Sequence, residues 1–487
     1  MRSSEPRVCA MIGSVRLSLL HAEFYERPVK LRLPFRFGVV TLREAPQLFV
    51  RVRVRLADGR EGEGVAAELL VPKWFDKSPE LSNEQNFEQL RQAVRLACDH
   101  LIDAGTATPF GLSVAAEREH RPACLALGLN GLIASFGLAF LERAIVDALA
   151  RLEARPAFEL VRVNRLGLTI ETTPDLAGFD LAAFLGSLQP APSIFVRHTV
   201  GLLDALARNE TLGHRLDDGL PESLEEAIAA YSHRYFKLKL GGNIPADMDR
   251  LVAIAGVLDR IDEPYYVTLD GNEQFEGVAP VIELWRRIGG ESRLARLRSA
   301  VLLIEQPIAR ARALSQSIEA LAREVPVEVD ESDTDIGVFP RARALGYRGI
   351  SAKSCKGFYR ALLNRARVAH WNAQEGGARY FMSAEDLTTQ AGTAVQQDLA
   401  LATLVGAKHV ERNGHQYVDG MAGAPQSEQD AFLAAHPDLY TRAGNGRVRL
   451  AIRAGAVSVA SLARTPGLGV GPMPEFAAMQ PSASCSD

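Results

Sequence analysis

At 487 residues, the chain is long enough for about two domains, or for one barrel with a cap. Hydrophobic residues make up 47% and charged residues 23%, the balance of a soluble globular protein whose core needs no staples. The net charge of −4 leaves no basic face, so nucleic acid is excluded as an expected partner.

The cysteines (Cys9, Cys98, Cys124, Cys355 and Cys485) are odd in number and scattered, with no CxxC pair. Neither a zinc site nor a disulfide framework is expected from them. That pattern fits a reducing compartment, hence a cytoplasmic location. The start of the chain has one short apolar patch broken by Arg16 and does not read as a signal peptide. The most membrane-like run, 124–141, carries Asn130, Ser135 and three glycines. It continues directly into a stretch with helical periodicity, so a buried helix is expected and no membrane partner.

In chain order, residues 14–65 read as a small antiparallel sheet. VRLSLLHAEFY (15–25) is strand-like, 28–46 is a loop region with prolines and a glycine, and LFVRVRVRL (48–56) alternates apolar and basic residues with period two. Asp58-Gly59 is a hairpin turn. A second loop, 66–85, precedes a helix from about 84 to 103, which Asn83 is placed to cap. A longer helix spans about 131–152 and carries the apolar run.

From about residue 190 the pattern becomes strand, turn, helix, repeated. Candidate strands are IFVRHT (194–199), YFKLKL (235–240), YVTLD (266–270), AVLLIE (300–305), PVEVD (326–330), GISAK (349–353), ARYFMS (378–383) and KHVE (408–411). Alternating units with near-continuous apolar strands imply a parallel sheet. Eight of them predict an α/β fold: a (β/α)₈-type barrel, that is a modified TIM barrel, with an N-terminal α+β capping domain. An open doubly wound sheet is the alternative. The expected domains are 1–165 for the cap, completed by C-terminal strands at about 440–470, and 166–439 for the barrel. Residues 471–487, rich in Pro, Ser and Ala, are expected as a loose tail.

The chemistry sits at strand ends. Asp270, Glu305 and Asp330 terminate consecutive apolar strands, and strand ends at the C-terminal face of a barrel converge on one mouth. Carboxylates crowded there would repel one another, and a hard divalent cation relieves that. Oxygen-only ligation favours Mg²⁺, with Mn²⁺ as the second choice, over zinc. Lys237 and Lys239 project to one face of their strand. Two neighbouring ammonium groups disfavour double charging, so one lysine can act as a base. Lys353 ends a strand four places further on and faces the pair across the mouth. For any single one of these residues a salt bridge or a helix cap is the plainer explanation; their recurrence on successive strands argues for a site. Lys356 falls in the loop beyond and reads as solvated, and His198 as a structural histidine.

The ordered set KLK, LDGNE, IEQP, VDES and AKSCK resembles the enolase superfamily, in particular the muconate-lactonizing-enzyme-like branch of the mandelate racemase/muconate lactonizing enzyme family. The resemblance covers roughly residues 15–470. Within the cap, PFRFG and LLVPKWF resemble its specificity loops. The resemblance implies Mg²⁺ at Asp270, Glu305 and Asp330, Lys239 and Lys353 as the acid/base pair, and Lys237 tuning Lys239. Glu411, Ser383 with Glu385 and Asp386 beside it, Phe35 and Trp74 are the expected substrate contacts, Glu411 either bonding the reacting oxygens or orienting a lysine. The resemblance further implies an isomerase or lyase that takes the α-proton of a small carboxylate to form a metal-stabilised enediolate, followed by racemisation, epimerisation or cycloisomerisation, and an even-numbered homo-oligomer. An acid-sugar dehydratase and a metal-binding barrel without catalysis are the alternatives. An insertion at about 201–221 departs from the pattern, as does KGFYR after Lys353.

Overall fold

The computed structural model describes residues 13–211, 213 and 215–486. The apolar patch at 8–12, weighed above as a leader, and Cys9 lie outside these residues.

Three antiparallel strands open the chain: β1 (Leu17–Phe37), β2 (Val40–Leu56) and β3 (Glu61–Leu69). The expected loop at 28–46 is instead the outer half of a long two-stranded ribbon, paired from Val29↔Ala45 out to Phe37↔Val40. Three prolines, which lack the N–H a ladder needs, are accommodated without breaking it. Pro28 and Pro46 face each other, and Pro34 falls where the register shifts between Lys30 and Phe35. Gly38, with φ of 47°, makes the tip turn, a conformation that costs glycine nothing.

Three helices cover the sheet: α1 (Asn83–Asp103), α2 (Pro109–Ala126) and α3 (Gly131–Leu152). The cap of α1 is Ser82 rather than Asn83. Its hydroxyl accepts from the Gln85 amide at 3.2 Å, and the Gln85 side chain accepts from the Ser82 amide at 2.7 Å, a reciprocal capping box. Helix α3 is buried from Leu132 to Ala150, which accounts for its apolar run. Among the described residues no helix is long and apolar enough to cross a membrane. A Cβ on Gly64 of β3 would stand 2.3 Å from the Ala144 carbonyl oxygen of α3, so glycine there lets sheet and helix close together.

The barrel strands are β4 (Ser193–Val200), β5 (Tyr235–Lys239), β6 (Tyr266–Asp270), β7 (Val301–Glu305), β8 (Val327–Val329), β9 (Gly349–Ala352), β10 (Phe381–Ala384) and β11 (His409–Arg412). They are parallel, in the order β10-β9-β8-β7-β6-β5-β4-β11. At the seam β10 and β11 lie alongside one another, but among the described residues they share no ladder. The result is a modified barrel. One apolar core joins the cap helices and sheet to the flank of the barrel formed by residues such as Phe358, Leu362, Val395 and Val410. This shared core fixes the cap over the strand ends.

The C-terminal segment departs from expectation. Residues 440–470 do not complete the cap sheet. β12 (Tyr440–Arg442) and β13 (Val448–Leu450) pair with each other, and β14 (Ala456–Ser458) pairs antiparallel with β4. Nor is the segment after 471 loose. β15 (Gln480–Ser486) adds to β1 as the outer strand of the cap sheet. A sequence with few apolar residues can do this because the edge of β1 offers unpaired backbone groups. Cys98 of α1 and Cys485 of β15 form a disulfide, with Cα atoms 6.7 Å apart. The expectation of thiols throughout is thus overturned, and with it the cysteine argument for a reducing, cytoplasmic compartment. Partners 387 residues apart leave no spacing signal; only the strand addition brings them together.

Candidate active site

Strand β5 alternates, burying Phe236 and Leu238 against the surrounding helices and turning Lys237 and Lys239 into the barrel. Lys237 is fully buried and is held by four carboxylates. Its Nζ is 2.6 Å from Glu305, 2.7 Å from Glu385, 2.8 Å from Glu411 and 3.1 Å from Asp270. Burial disfavours its charge, yet these acids hold its pKa well above the usual lysine value. Lys237 is thus a buried positive charge bonded by acids from four strand ends.

Lys239 Nζ is 2.5 Å from Asp270 Oδ2 and 3.9 Å from Glu411. Lys353 Nζ is 2.5 Å from Asp330 Oδ2. Burial pulls the Lys353 pKa down, but Asp330, with Glu305 and Glu411, carries it above normal. Lys356, expected in solvent, is buried and bonds Ser351 Oγ at 2.8 Å and Asp330 Oδ1 at 3.2 Å. The short turn after β9, 354–356, folds it back beneath the site.

The carboxylates are not alike. Burial raises the pKa of Asp270, but Lys237 and Lys239 bring it below the usual value. Burial likewise raises Asp330, but Lys353 and Lys356 carry it well below. Glu305 goes the other way: burial, then repulsion from Asp270 and Glu385, pushes it well above normal. Glu328 behaves similarly, pushed up to about 8 by burial and by Glu385. Glu305, Glu328 and Glu385 have oxygens within 4.8 Å of one another, a closed cluster to which Asp270 and Asp330 do not belong. Each of those two faces a lysine instead. The residues present fit a hard divalent cation: every donor is oxygen, Glu305 gains from a nearby positive charge, and Glu328 Oε2, Glu331 Oε2 and Asn272 Oδ1 are buried without a partner. Left-handed backbone at Asn272 (φ 40°), Glu273 (φ 68°) and Gln306 (φ 30°) marks the same strand ends. Strain of this kind collects where geometry is over-determined by function.

One cavity, about 20 Å³, brings the two amines together. Lys239, Lys353 and Glu411 line it from the barrel, and Phe35, Phe37 and Trp74 from the cap. Larger cavities lie elsewhere, one of about 210 Å³ beside Glu117 and Arg360, but they lack this chemistry. Trp74 covers Lys353, with Nζ 4.6 Å from the ring centroid, and Phe37 approaches Lys239 at 5.9 Å. Glu411 also accepts from the Thr199 hydroxyl at 2.8 Å. Burial raises its pKa, but Lys237 and Lys239 outweigh that and keep it ionised. Its oxygens bond Lys237 at 2.8 Å and lie 3.9 Å from Lys239. Ser383 does not reach the cavity: its hydroxyl donates to Glu328 at 2.8 Å inside the barrel.

Sequence reasoning missed Phe37 and Glu328, though both carried a signal. Phe37 follows Phe35, and Glu328 precedes Asp330, by the two residues that put strand side chains on one face. Val71, Asn272, Asp386, Leu387, Thr388 and Asn413 complete the lining.

No family model matches the chain, and no curated protein matches it in sequence. Its fold is similar to solved structures. A dipeptide epimerase from Enterococcus faecalis V583, complexed with Mg and the dipeptide L-Leu-L-Tyr, superposes with a TM-score of 0.58 at 12% identity, over 93% of this chain and 99% of that one. A 2-chloromuconate cycloisomerase from Rhodococcus opacus 1CP gives 0.57 at 16%, over 93% and 96%. A magnesium-complexed member of the enolase superfamily from Roseovarius nubinhibens ISM gives 0.55 at 17%, over 97% and 100%.

Proposed function

We propose that this chain, which has the enolase-superfamily fold, is a divalent-metal-dependent enzyme that removes the α-proton of a small carboxylate and returns a proton to the same carbon, an epimerase or racemase. The observation that carries the reading is that Lys239 and Lys353, from strands four apart in the sheet order, line a single cavity. Two amines at one carbon are what a 1,1-proton transfer requires; a cycloisomerisation needs only one.

Mg²⁺ is the proposed ion and Asp270, Glu305 and Asp330 its proposed ligands. The ion would supply positive charge that competes with the amines for these oxygens and stabilises negative charge developing on the substrate carboxylate. The rest is done by the protein. Lys239, freed from Asp270, takes or gives the proton on one face, and Lys353, freed from Asp330, does so on the other. Lys237 stays charged and keeps Glu411, Glu385 and Glu305 from collapsing on the reacting amines. Phe35, Phe37 and Trp74 exclude water, which strengthens every charge interaction inside. A cavity of about 20 Å³ holds on the order of one water, so an organic acid enters only when these cap residues are displaced.

The test is α-proton exchange. With Mg²⁺ in D₂O, a set of dipeptides, N-acyl amino acids and 2-hydroxy acids is expected to contain a member whose α-proton signal disappears by NMR, with both stereoisomers appearing. Exchange in none of them would end the reading. Formation of 2-keto products from aldonic or uronic acids would assign dehydration instead.

A further inference from the structure

Outside the barrel, on the face of β4 opposite the active site, three histidines meet. Thr199 points inward to Glu411, so His198, its neighbour on the strand, points outward. His233 comes from the segment just before β5, and His415 from the turn after β11. One ring nitrogen from each lies within 4.8 Å of the others. His198 Nδ1 and His415 Nε2 are 3.2 Å apart, close to the roughly 3.3 Å expected between neighbouring ligands around a tetrahedral ion with bonds of about 2.0–2.1 Å.

Neither ring nitrogen of His233 has a hydrogen-bond partner, nor has His415 Nδ1, and all three atoms are buried. His233 itself is 0% exposed. Buried ring nitrogens without partners are costly, and a structural histidine cluster would be expected to bond them. Burial holds all three imidazoles in the neutral form that ligates metals, with His198 brought down to about 4.

We propose that His198, His233 and His415 form a second metal centre, separate from the barrel carboxylates, for a borderline transition ion such as Zn²⁺. All-imidazole ligation selects against Mg²⁺ and Ca²⁺. Three neutral ligands leave the ion's charge uncompensated and a fourth position to fill. His415 also lines a cavity of about 310 Å³ shared with Tyr231, Arg449 and Arg453, so the fourth ligand is a hydroxide or small anion entering from that side. The ion ties together the end of β4, the segment leading into β5 and the turn after β11, and so fastens the β11–β4 edge of the barrel.

The experiment counts metal in the full chain, stripped with chelator, reloaded with Zn²⁺ in millimolar Mg²⁺, and gel-filtered. Wild type is expected to keep one equivalent of Zn²⁺, and Asp330→Asn to keep it too. His415→Gln and His233→Asn are expected to bind it at least about tenfold more weakly. Co²⁺ should give tetrahedral visible absorption in wild type and lose it in both histidine variants. His415 faces the cavity, so His415→Gln is the variant least exposed to misfolding, and Mg²⁺-induced thermal stabilisation retained in it certifies the fold. Failure of wild type to retain Zn²⁺, or retention unchanged by the histidine variants, overturns the proposal. Loss in Asp330→Asn alone would assign the Zn²⁺ to the barrel carboxylates and overturn it as well.

Discussion

Trp74 of the cap covers Lys353 of the barrel, the ammonium 4.6 Å from the ring centroid and the ring itself 3% exposed. Two units built from distant stretches of chain thus meet at one lysine. A cation over an aromatic face is worth about 0.5–2 kcal/mol. Trp74→Leu, which removes the aromatic face, is therefore expected to lower kcat/KM by roughly 2- to 30-fold, as 1.4 kcal/mol is tenfold, while leaving the fold intact. Steady-state kinetics beside a thermal melt check this; unchanged kinetics would remove Trp74 from the site.

The two amines are expected to divide the work. Lys239→Gln and Lys353→Gln should each cut turnover by about 10²–10⁴-fold, the usual share of a general acid or base. Each should abolish deuterium exchange of one stereoisomer and spare some exchange of the other. Equal loss of both exchanges in either variant would contradict the division.

Lys237→Met should be damaging to stability rather than to one step. It leaves Asp270, Glu305, Glu385 and Glu411 facing one another without the ammonium that now touches all four. Breaking a buried ion pair on one side costs about 3–5 kcal/mol. Urea unfolding should register that loss, and added Mg²⁺ should restore part of it. A variant as stable as wild type would show the cage to be dispensable.

Reduction of Cys98–Cys485 should free β15 from α1. The bridge closes a loop of 387 residues, for which chain entropy allows at most about 6 kcal/mol. Cys485→Ser should lower the unfolding midpoint and raise amide exchange in Tyr25 and Glu26, which pair with β15, with the barrel strands unaffected. Identical exchange in oxidised wild type and variant would count against the tether.

Acid should weaken the fold partly through His120. It is 0% exposed and contacts the Ala134 carbonyl oxygen at 2.9 Å. Burial outweighs that bond and lowers its pKa below 6.5. The unfolded chain then takes up a proton near pH 6.5, the folded chain only at lower pH. Its contribution is complete above pH 6.5 and is lost as pH falls through the folded value. His120→Gln should flatten the stability–pH curve below pH 6.5; an unchanged slope would assign the loss to other groups.

The sequence by itself determined the repeating strand–helix order and which residues end the strands. Period-two and helical patterns depend only on neighbours along the chain, so KLK, LDGNE, IEQP and VDES could be read directly. The same local reasoning erred where the outcome hung on a partner. The ribbon at 28–46 needs its two arms to pair with each other, and the addition of β15 to β1 and the Cys98–Cys485 bridge each need a surface supplied from far along the chain. So do the cage of carboxylates around Lys237 and the meeting of His198, His233 and His415. Pairing, burial and the sign of a pKa shift are set by what lies across a few ångströms of space, and only the folded chain specifies that.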